Sequence, residues 1–359
     1  APIHNQQFHN RTSTIYDGYA WYYYYQLIGQ ANRIIAHIDA ATGSDEDKKF
    51  IKASALAFRA YSYEKLIHYY CYRWQDSNNG ASQGVVLRLD ESTGDAPFAT
   101  LAETVAQIYK DCQEAITLFG ESGIDRPASE VWIPNENVAH AVYARAALFR
   151  QDYQTAVDQA KLAKKGYPLM NNDSYAAGFC EPTSEWIMGS YGGKTENNWY
   201  WSYGTQGACN GYYATADGNP TGAGTIGHEL ISRIPNNDAR KQNFLTEDKF
   251  PDLDLSKESA YYYTFGILGM MDDNIYEQAD SIVKAHQAKG KSTPYQAGFY
   301  YLDANLKFYV LDQPGVSYVP FIRSSEMVLI EAEANYFLGK TAEAQAALVE
   351  LNATSGRNP

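Results

Sequence analysis

The sequence predicts a mainly α-helical fold: a scaffold of paired helices, arranged as a tetratricopeptide-like α-α superhelix and interrupted by a large loop-rich insert. Three observations carry this reading. Apolar residues recur every three to four positions through most of 12–168 and 321–356. Two stretches, 137–168 and 321–356, place small residues where two paired helices must cross closely. Between them, roughly 170–320, the composition shifts to Gly, Asn, Tyr, Asp and Pro. A connection of that length in a helical fold usually serves a function. The reading is one domain over residues 1–359, with 12–168 and 321–356 as scaffold and 170–320 as ligand-binding insert.

Residues 12–40 carry Trp21, Tyr24, Tyr25, Ile28, Ala31, Ile34, Ile35 and Ile38 at helical spacing. Asp39 to Asp47 is a turn. Glu46 to Arg73 forms a second long helix whose apolar face includes Ala53, Leu56, Ala57, Ala60, Tyr63, Leu66, Ile67 and Tyr70, with Tyr69 and Tyr70 expected in the core. Residues 75–98 read as a loop with one apolar run, Gly84 to Leu87. Thr100 to Phe119 is a third helix, which Thr100 caps and Glu103 closes as a capping box. Asn135 or Asn137 starts a fourth, running to Arg150, and Tyr153 to Lys165 is a fifth.

The fourth and fifth helices fit the tetratricopeptide pattern, with His140, Tyr143, Ala144, Ala147, Ala156, Ala160 and Ala163 at the packing positions. Pro168 stops the pair because proline cannot continue a helix. The C-terminal hairpin turns at Gly339-Lys340 and matches again at Val328, Glu331, Ala332, Asn335, Ala344, Leu348 and Leu351. Within the insert, Asp272 to Lys289 and Gly227 to Ile234 read as helical, and Phe299 to Val310 as extended. Ser174 to Pro220 has no helical period.

The net charge of −13 argues against nucleic acid and anionic membrane surfaces as partners, since both attract basic patches. No run of about 18 apolar residues is present to span a bilayer. Cys71, Cys112, Cys180 and Cys209 form no Cys-x-x-Cys pattern, so neither a zinc site nor a thioredoxin motif is expected. No cofactor and no metal ligand set is expected.

Aromatic content is the anomaly, with 31 Tyr against 14 Phe and 6 Trp. Tyr and Trp pair an apolar face with a polar handle and favour half-wet contacts. The segment Gly189 to Gly204 sets Trp199, Tyr200, Trp201 and Tyr203 beside Asn197 and Asn198. A sugar ring offers an apolar C–H face and a rim of hydroxyls, which flat aromatics and amides match. The exit of the second helix adds Tyr72, Arg73 and Trp74, where an arginine over an aromatic ring would form a cation–π pair. These nine residues are the candidate ligand-binding set. Catalytic constellations are poor: no His-x-x-x-His, nucleophile elbow, Walker or dinucleotide motif is present. Asp252/Asp254, Asp272/Asp273 and Glu331/Glu333 are paired carboxylates, but the last two lie two apart on a helix and face different ways.

At this point the chain resembles the SusD/RagB family. Tyr25 to Asp39 with its Ala31-Asn32 pair is similar to the family's early helix, and Ala53 to Leu66 with Arg59-Ala60 to its Arg-Ala helix. Ile108 to Ala115 with Asp111, Ala141 to Ala163, Ser184 to Ile187, Asn237-Asp238-Ala239-Arg240 and Arg323 to Ala334 follow in the same order. The match departs at the edges: the lipidated N-terminal cysteine and first segment are missing, as is the C-terminal part, and Asn352 to Arg357 only approximates the family's Asn-x-x-Arg. The resemblance implies a non-catalytic glycan-binding lipoprotein, surface-exposed on the cell outer membrane and docked to a SusC-like TonB-dependent porin. The membrane would be reached only through a lipid anchor absent from this chain. Because the family shares no ligand-binding motif, the resemblance transfers no sugar-contacting residue. Two other readings stand beside it: a tetratricopeptide adaptor for a protein or peptide partner, and an all-α glycosidase.

Overall fold

A computed structural model describes residues 15–176, 179, 181–191, 227–250, 267–268, 277–279, 281–282, 284–285, 300–303, 306–307, 318–355 and 357. Helices dominate, as predicted: α1 (Ile15–His37), α2 (Asp45–Tyr70), α3 (Leu101–Ser122), α4 (Glu136–Phe149), α5 (Tyr153–Ala163), α6 (Asn172–Ala176), α7 (His228–Ser232), α8 (Ser324–Phe337) and α9 (Thr341–Ser355). The short strands are β1 (Trp186–Gly189), β2 (Ile267–Leu268), β3 (Tyr300–Tyr301) and β4 (Pro320–Arg323). The chain divides into two compact units, Ala1–Gly166 with Glu326–Ala347, and Tyr167–Ser325 with Leu348–Pro359.

In the first unit, α2 starts where Ser44 accepts a hydrogen bond from the Asp47 N–H at 3.1 Å. Asp45, Glu46 and Asp47 then sit at the positive end of its dipole. Its apolar stripe packs Ala53, Leu56 and Ala57 against Ala115 and Phe119 of α3 and Ala139 of α4. The alanines let the helix backbones approach. The capping box at Thr100 and Glu103 is formed, and Gly123, at φ +62°, ends α3 in the left-handed conformation.

A buried polar lock ties α1, α2 and α3 together. The Arg59 guanidinium donates to both oxygens of Asp111, at 2.8 and 2.6 Å, and to Asn32 Oδ1 at 2.9 Å. Asn32 in turn donates to the carbonyls of Arg88 and Asp90 at 3.0 and 2.9 Å. The Tyr25 hydroxyl donates to the Val86 carbonyl, and Tyr63 to that of Arg88, both at 2.7 Å. Helix side chains therefore pin the 86–90 part of the 75–98 connection, and Val85 just before it is fully buried.

The packing alanines of α4 and α5 are all buried, as are His140 and Tyr143. Asn137 donates to the carbonyls of Leu162, Ala163 and Lys165 at 2.9–3.2 Å, which satisfies the open end of α5. The predicted C-terminal hairpin is also present. It turns at Gly339 (φ +74°), a conformation that suits glycine.

In the second unit β1 and β4 pair antiparallel, Trp186 opposite Arg323. Glu185 is fully buried and is met by Arg323 at 3.1 Å and by Arg357. Met170 adds a backbone N–H at 3.0 Å. Arg357, read in sequence as the degenerate end of a family motif, is thus a buried partner of Glu185. Asp238 and Arg240 form a local bidentate pair. The predicted Gly227–Ile234 helix is the shorter α7, and 277–279, 281–282 and 284–285 are helical within the predicted 272–289 stretch. Tyr300–Tyr301 is extended, as expected, and pairs with Ile267–Leu268.

Candidate functional site

The start of α1 and the end of α2 meet in a surface built almost wholly of aromatic rings. The Trp21 N–H of the backbone donates to the Tyr70 hydroxyl at 2.9 Å. The Trp21 ring stands edge-on to Tyr70 at 5.3 Å and lies 6.0 Å from Phe98. Tyr24 and Tyr69 lie near-parallel at 6.4 Å. Around these, Tyr22 is 70% exposed, Tyr69 63% and Tyr72 68%. So many large rings in water at one place mark a contact surface. Tyrosine suits it, since the ring offers area while the hydroxyl stays hydrated. Burial pushes the Tyr24 hydroxyl up to about 12, with Tyr69 and Tyr23 adding to the effect, so it remains a neutral donor at physiological pH.

Tyr69 and Tyr70 were expected in the core, and the structure corrects this. The buried stripe of α2 runs Tyr63, Leu66, Ile67. Tyr69 falls off that stripe, and Tyr70 lies on its edge at the last turn. Cys71 then leaves the helix in extended conformation. Of the predicted site residues, Tyr72 is exposed, and Arg73 is exposed and pairs with Asp76 at 2.7 Å. The cation over Trp74 is Arg150, 5.6 Å from the ring centroid, and it also covers Tyr109 at 5.3 Å. Trp74 is half-buried against Gly80, where a Cβ would stand 2.6 Å from the ring. Trp199, Tyr200, Trp201, Tyr203, Asn197 and Asn198 lie outside the described residues. Sequence reasoning missed Trp21, Tyr22 and Phe98. The signal available was the run Tyr22-Tyr23-Tyr24-Tyr25, too aromatic for one buried face of a helix.

Beside this surface, α2, α4 and α8 line a groove of about 630 Å³. Here α2 packs on both α1 and α3, α4 packs on α5, and α8 opens the C-terminal hairpin. The groove floor is charged. Arg145 donates to both oxygens of Glu326 at 2.6 Å. Glu64, 1% exposed, lies 3.1 Å from His68 Nδ1, 3.3 Å from Lys65 and 3.9 Å from Arg145. Burial alone would raise the Glu64 carboxyl. The His68 hydrogen bond and the Lys65 and Arg145 charges outweigh it and hold the group at about 2. Burial would likewise lower His68, but Glu64 outweighs it and the imidazole is raised. Phe149, edge-on to His68 at 5.0 Å, and Leu329 form the apolar walls.

Among the described residues no group of His, Cys, Asp or Glu is arranged to hold a metal ion, and Cys71 and Cys112 are free thiols. Glu331 is buried and pairs with Lys164 at 3.0 Å, while Glu333 is exposed, so the two do not act together. Asp252, Asp254, Asp272 and Asp273 lie outside the described residues. No helix among the described residues is long and apolar enough to cross a membrane.

Residues 3–148 match the SusD-like family described as starch-binding associating with outer membrane. No curated protein matches. In fold the chain is similar to a SusD-like carbohydrate-binding protein from Bacteroides vulgatus, with 22% identity and TM-score 0.69 over 96% of this chain and 64% of that one. A SusD superfamily protein from Bacteroides thetaiotaomicron gives 20% and 0.65 over 93% and 65%. Surface glycan-binding protein A from Bacteroides uniformis gives 17% and 0.61 over 95% and 66%. The chain thus spans just under two thirds of the length of these relatives. The resemblance to the SusD/RagB family read from the sequence holds.

Proposed function

We propose, for a chain whose residues 3–148 match the SusD-like family and whose fold is SusD-like, that it binds oligosaccharide and does no chemistry on it. The observation that carries this is the ring surface of Trp21, Tyr22, Tyr69, Tyr70 and Tyr72, whose exposed faces suit the C–H face of a sugar. The insert aromatics Trp199, Tyr200, Trp201 and Tyr203, with Asn197 and Asn198, are a second candidate platform. Trp74 and Arg73, beside Tyr72 in the chain, are kept as candidates at the exit of α2. In this reading the α1–α2 end of the helical frame and the insert both contact ligand, and the whole is one functional domain. The protein works at the outer membrane surface on a lipid anchor and hands its glycan to a SusC-like TonB-dependent porin.

Isothermal titration against a panel of plant, algal and host polysaccharides tests the reading. Binding is expected to at least one, and the paired change Tyr22→Ala with Tyr72→Ala weakens it about tenfold, as loss of stacking contacts should. Both side chains are exposed, so the fold is unaffected. Absence of heat across the panel sinks the proposal, as does release of reducing sugar, which would favour a glycosidase. Trp199→Ala with Trp201→Ala measures the share of the insert.

A further inference from the structure

The turn that follows the exit of α2 carries chemistry that neither the helix frame nor the ring surface uses. Asn79 is followed by Gly80. In such a pair the glycine nitrogen can attack the asparagine side-chain carbonyl carbon, because glycine has no side chain to hinder the ring that closes. The Gly80 N–H gives up its proton to solvent, its nitrogen bonds to Asn79 Cγ, and the side-chain amide leaves as ammonia. Water then opens the imide at either of its C–N bonds. The product is aspartate, or isoaspartate with an added methylene in the main chain. The net change consumes water and releases ammonia.

Asn79 is exposed and has a left-handed backbone, φ +53°, as does Asn78 at +52°. Gly80, at φ +81°, is buried and held on three sides. Its N–H donates to Ser77 Oγ at 2.8 Å. Its carbonyl accepts from the Ala102 N–H, in the first turn of α3, at 2.9 Å. Where a side chain would stand, the Trp74 ring lies 2.6 Å and Ala102 Cβ 2.8 Å from the Cβ position. Ser77, 1% exposed, is itself fixed by donating to the Trp74 carbonyl at 2.6 Å. Attack needs a Gly80 nitrogen stripped of its proton and a peptide plane free to swing toward Asn79. Donation to a buried acceptor opposes the first, and the wedge of Trp74 and Ala102 opposes the second. The amide that reacts is at the surface, while its nucleophile is locked beneath. We propose that Asn79 is a gated modification site, closed while this turn is packed and deamidated by water when the turn opens. Local opening, short of global unfolding, is the route to such chemistry in a surface turn. Isoaspartate at 79 lengthens the main chain next to the Gly80–Ala102 bond and keeps the turn from closing again.

The full chain is incubated at mildly alkaline pH and digested, and conversion is followed by peptide mapping with mass spectrometry, which separates Asn79 from Asn78 and from Asn210 of the Asn210-Gly211 pair. The same chain unfolded in guanidinium gives the ungated rate. In the folded chain Asn79 is expected to convert at least about tenfold more slowly, because only the open fraction reacts. Ser77→Ala, which leaves the Gly80 N–H without its acceptor, is expected to speed conversion in the folded chain about fivefold. Exchange of the Gly80 amide, read by NMR on the unchanged chain, is expected to be at least about tenfold slower than that of a free amide. Equal conversion in folded and unfolded chain overturns the proposal. Free-amide exchange at Gly80 overturns it as well, as does a folded Ser77→Ala chain that converts no faster. If Ser77→Ala does not fold, the exchange rate and the folded-to-unfolded ratio of the unchanged chain decide.

Discussion

Arg59 shows how much a single side chain carries. It is 6% exposed, and its guanidinium satisfies Asp111 and Asn32 at once. Removing one partner leaves the other charge buried without compensation. Arg59→Ala or Asp111→Ala is expected to cost about 3–5 kcal/mol in urea denaturation, and the double change less than the sum. An additive double mutant would show the pair to be uncoupled. His68 and Glu64 set a pH window. The raised His68 contributes stability fully below its ordinary 6.5 and loses it as pH rises through the raised value. The depressed Glu64 contributes fully above its ordinary 4.5 and loses it as pH falls toward about 2. The pair is therefore at full strength between about 4.5 and 6.5. NMR titration should place His68 above 6.5, and Glu64→Gln should lower it, because burial and the Lys65 charge are then opposed only by the Glu64 backbone carbonyl.

At the scale of elements, caps and small residues decided what could be read ahead. Thr100 and Glu103 announce the start of α3 through a local rule, and both hydrogen bonds are made. Thr100→Ala is expected to cost about 1 kcal/mol, measured as a lower denaturation midpoint with unchanged slope. Gly84→Ala should cost more, because its Cβ would lie 2.6 Å from the Thr100 carbonyl. Equal losses would mean the arm yields easily. The alanine positions of α4 and α5 were legible for the same reason: helix crossing depends on spacing within one segment. The end of α2 was not. Whether Tyr69 and Tyr70 are covered depends on what packs beside the last turn, and no spacing within the helix reports that. The 75–98 connection is a loop as its sequence suggests, but what anchors its 86–90 part, side chains on α1 and α2, is set by packing and not by local spacing.

For the molecule as a whole, charge and aromatic surface point to one kind of partner. Under the proposed function, a chain of net charge −13 meeting a neutral sugar through rings should do so with little salt dependence. Affinity is expected to change less than about twofold between roughly 0.05 and 0.5 M salt, since screening acts on charge pairs and not on stacking. A steep loss would indicate a cationic ligand. The sequence by itself determined the helix pairs, their turns and caps, because periodicity, capping and small-residue spacing are local, while Asn32, Arg59 and Asp111 stood out only through the family resemblance. Only the tertiary structure decided that those three side chains are one lock, that Trp21 joins Tyr70, and that Glu64, Arg145 and Glu326 share a groove floor. These residues are brought together by helix packing across up to 262 positions of chain, and burial, which sets both their exposure and their charge state, is a property of the packed neighbours.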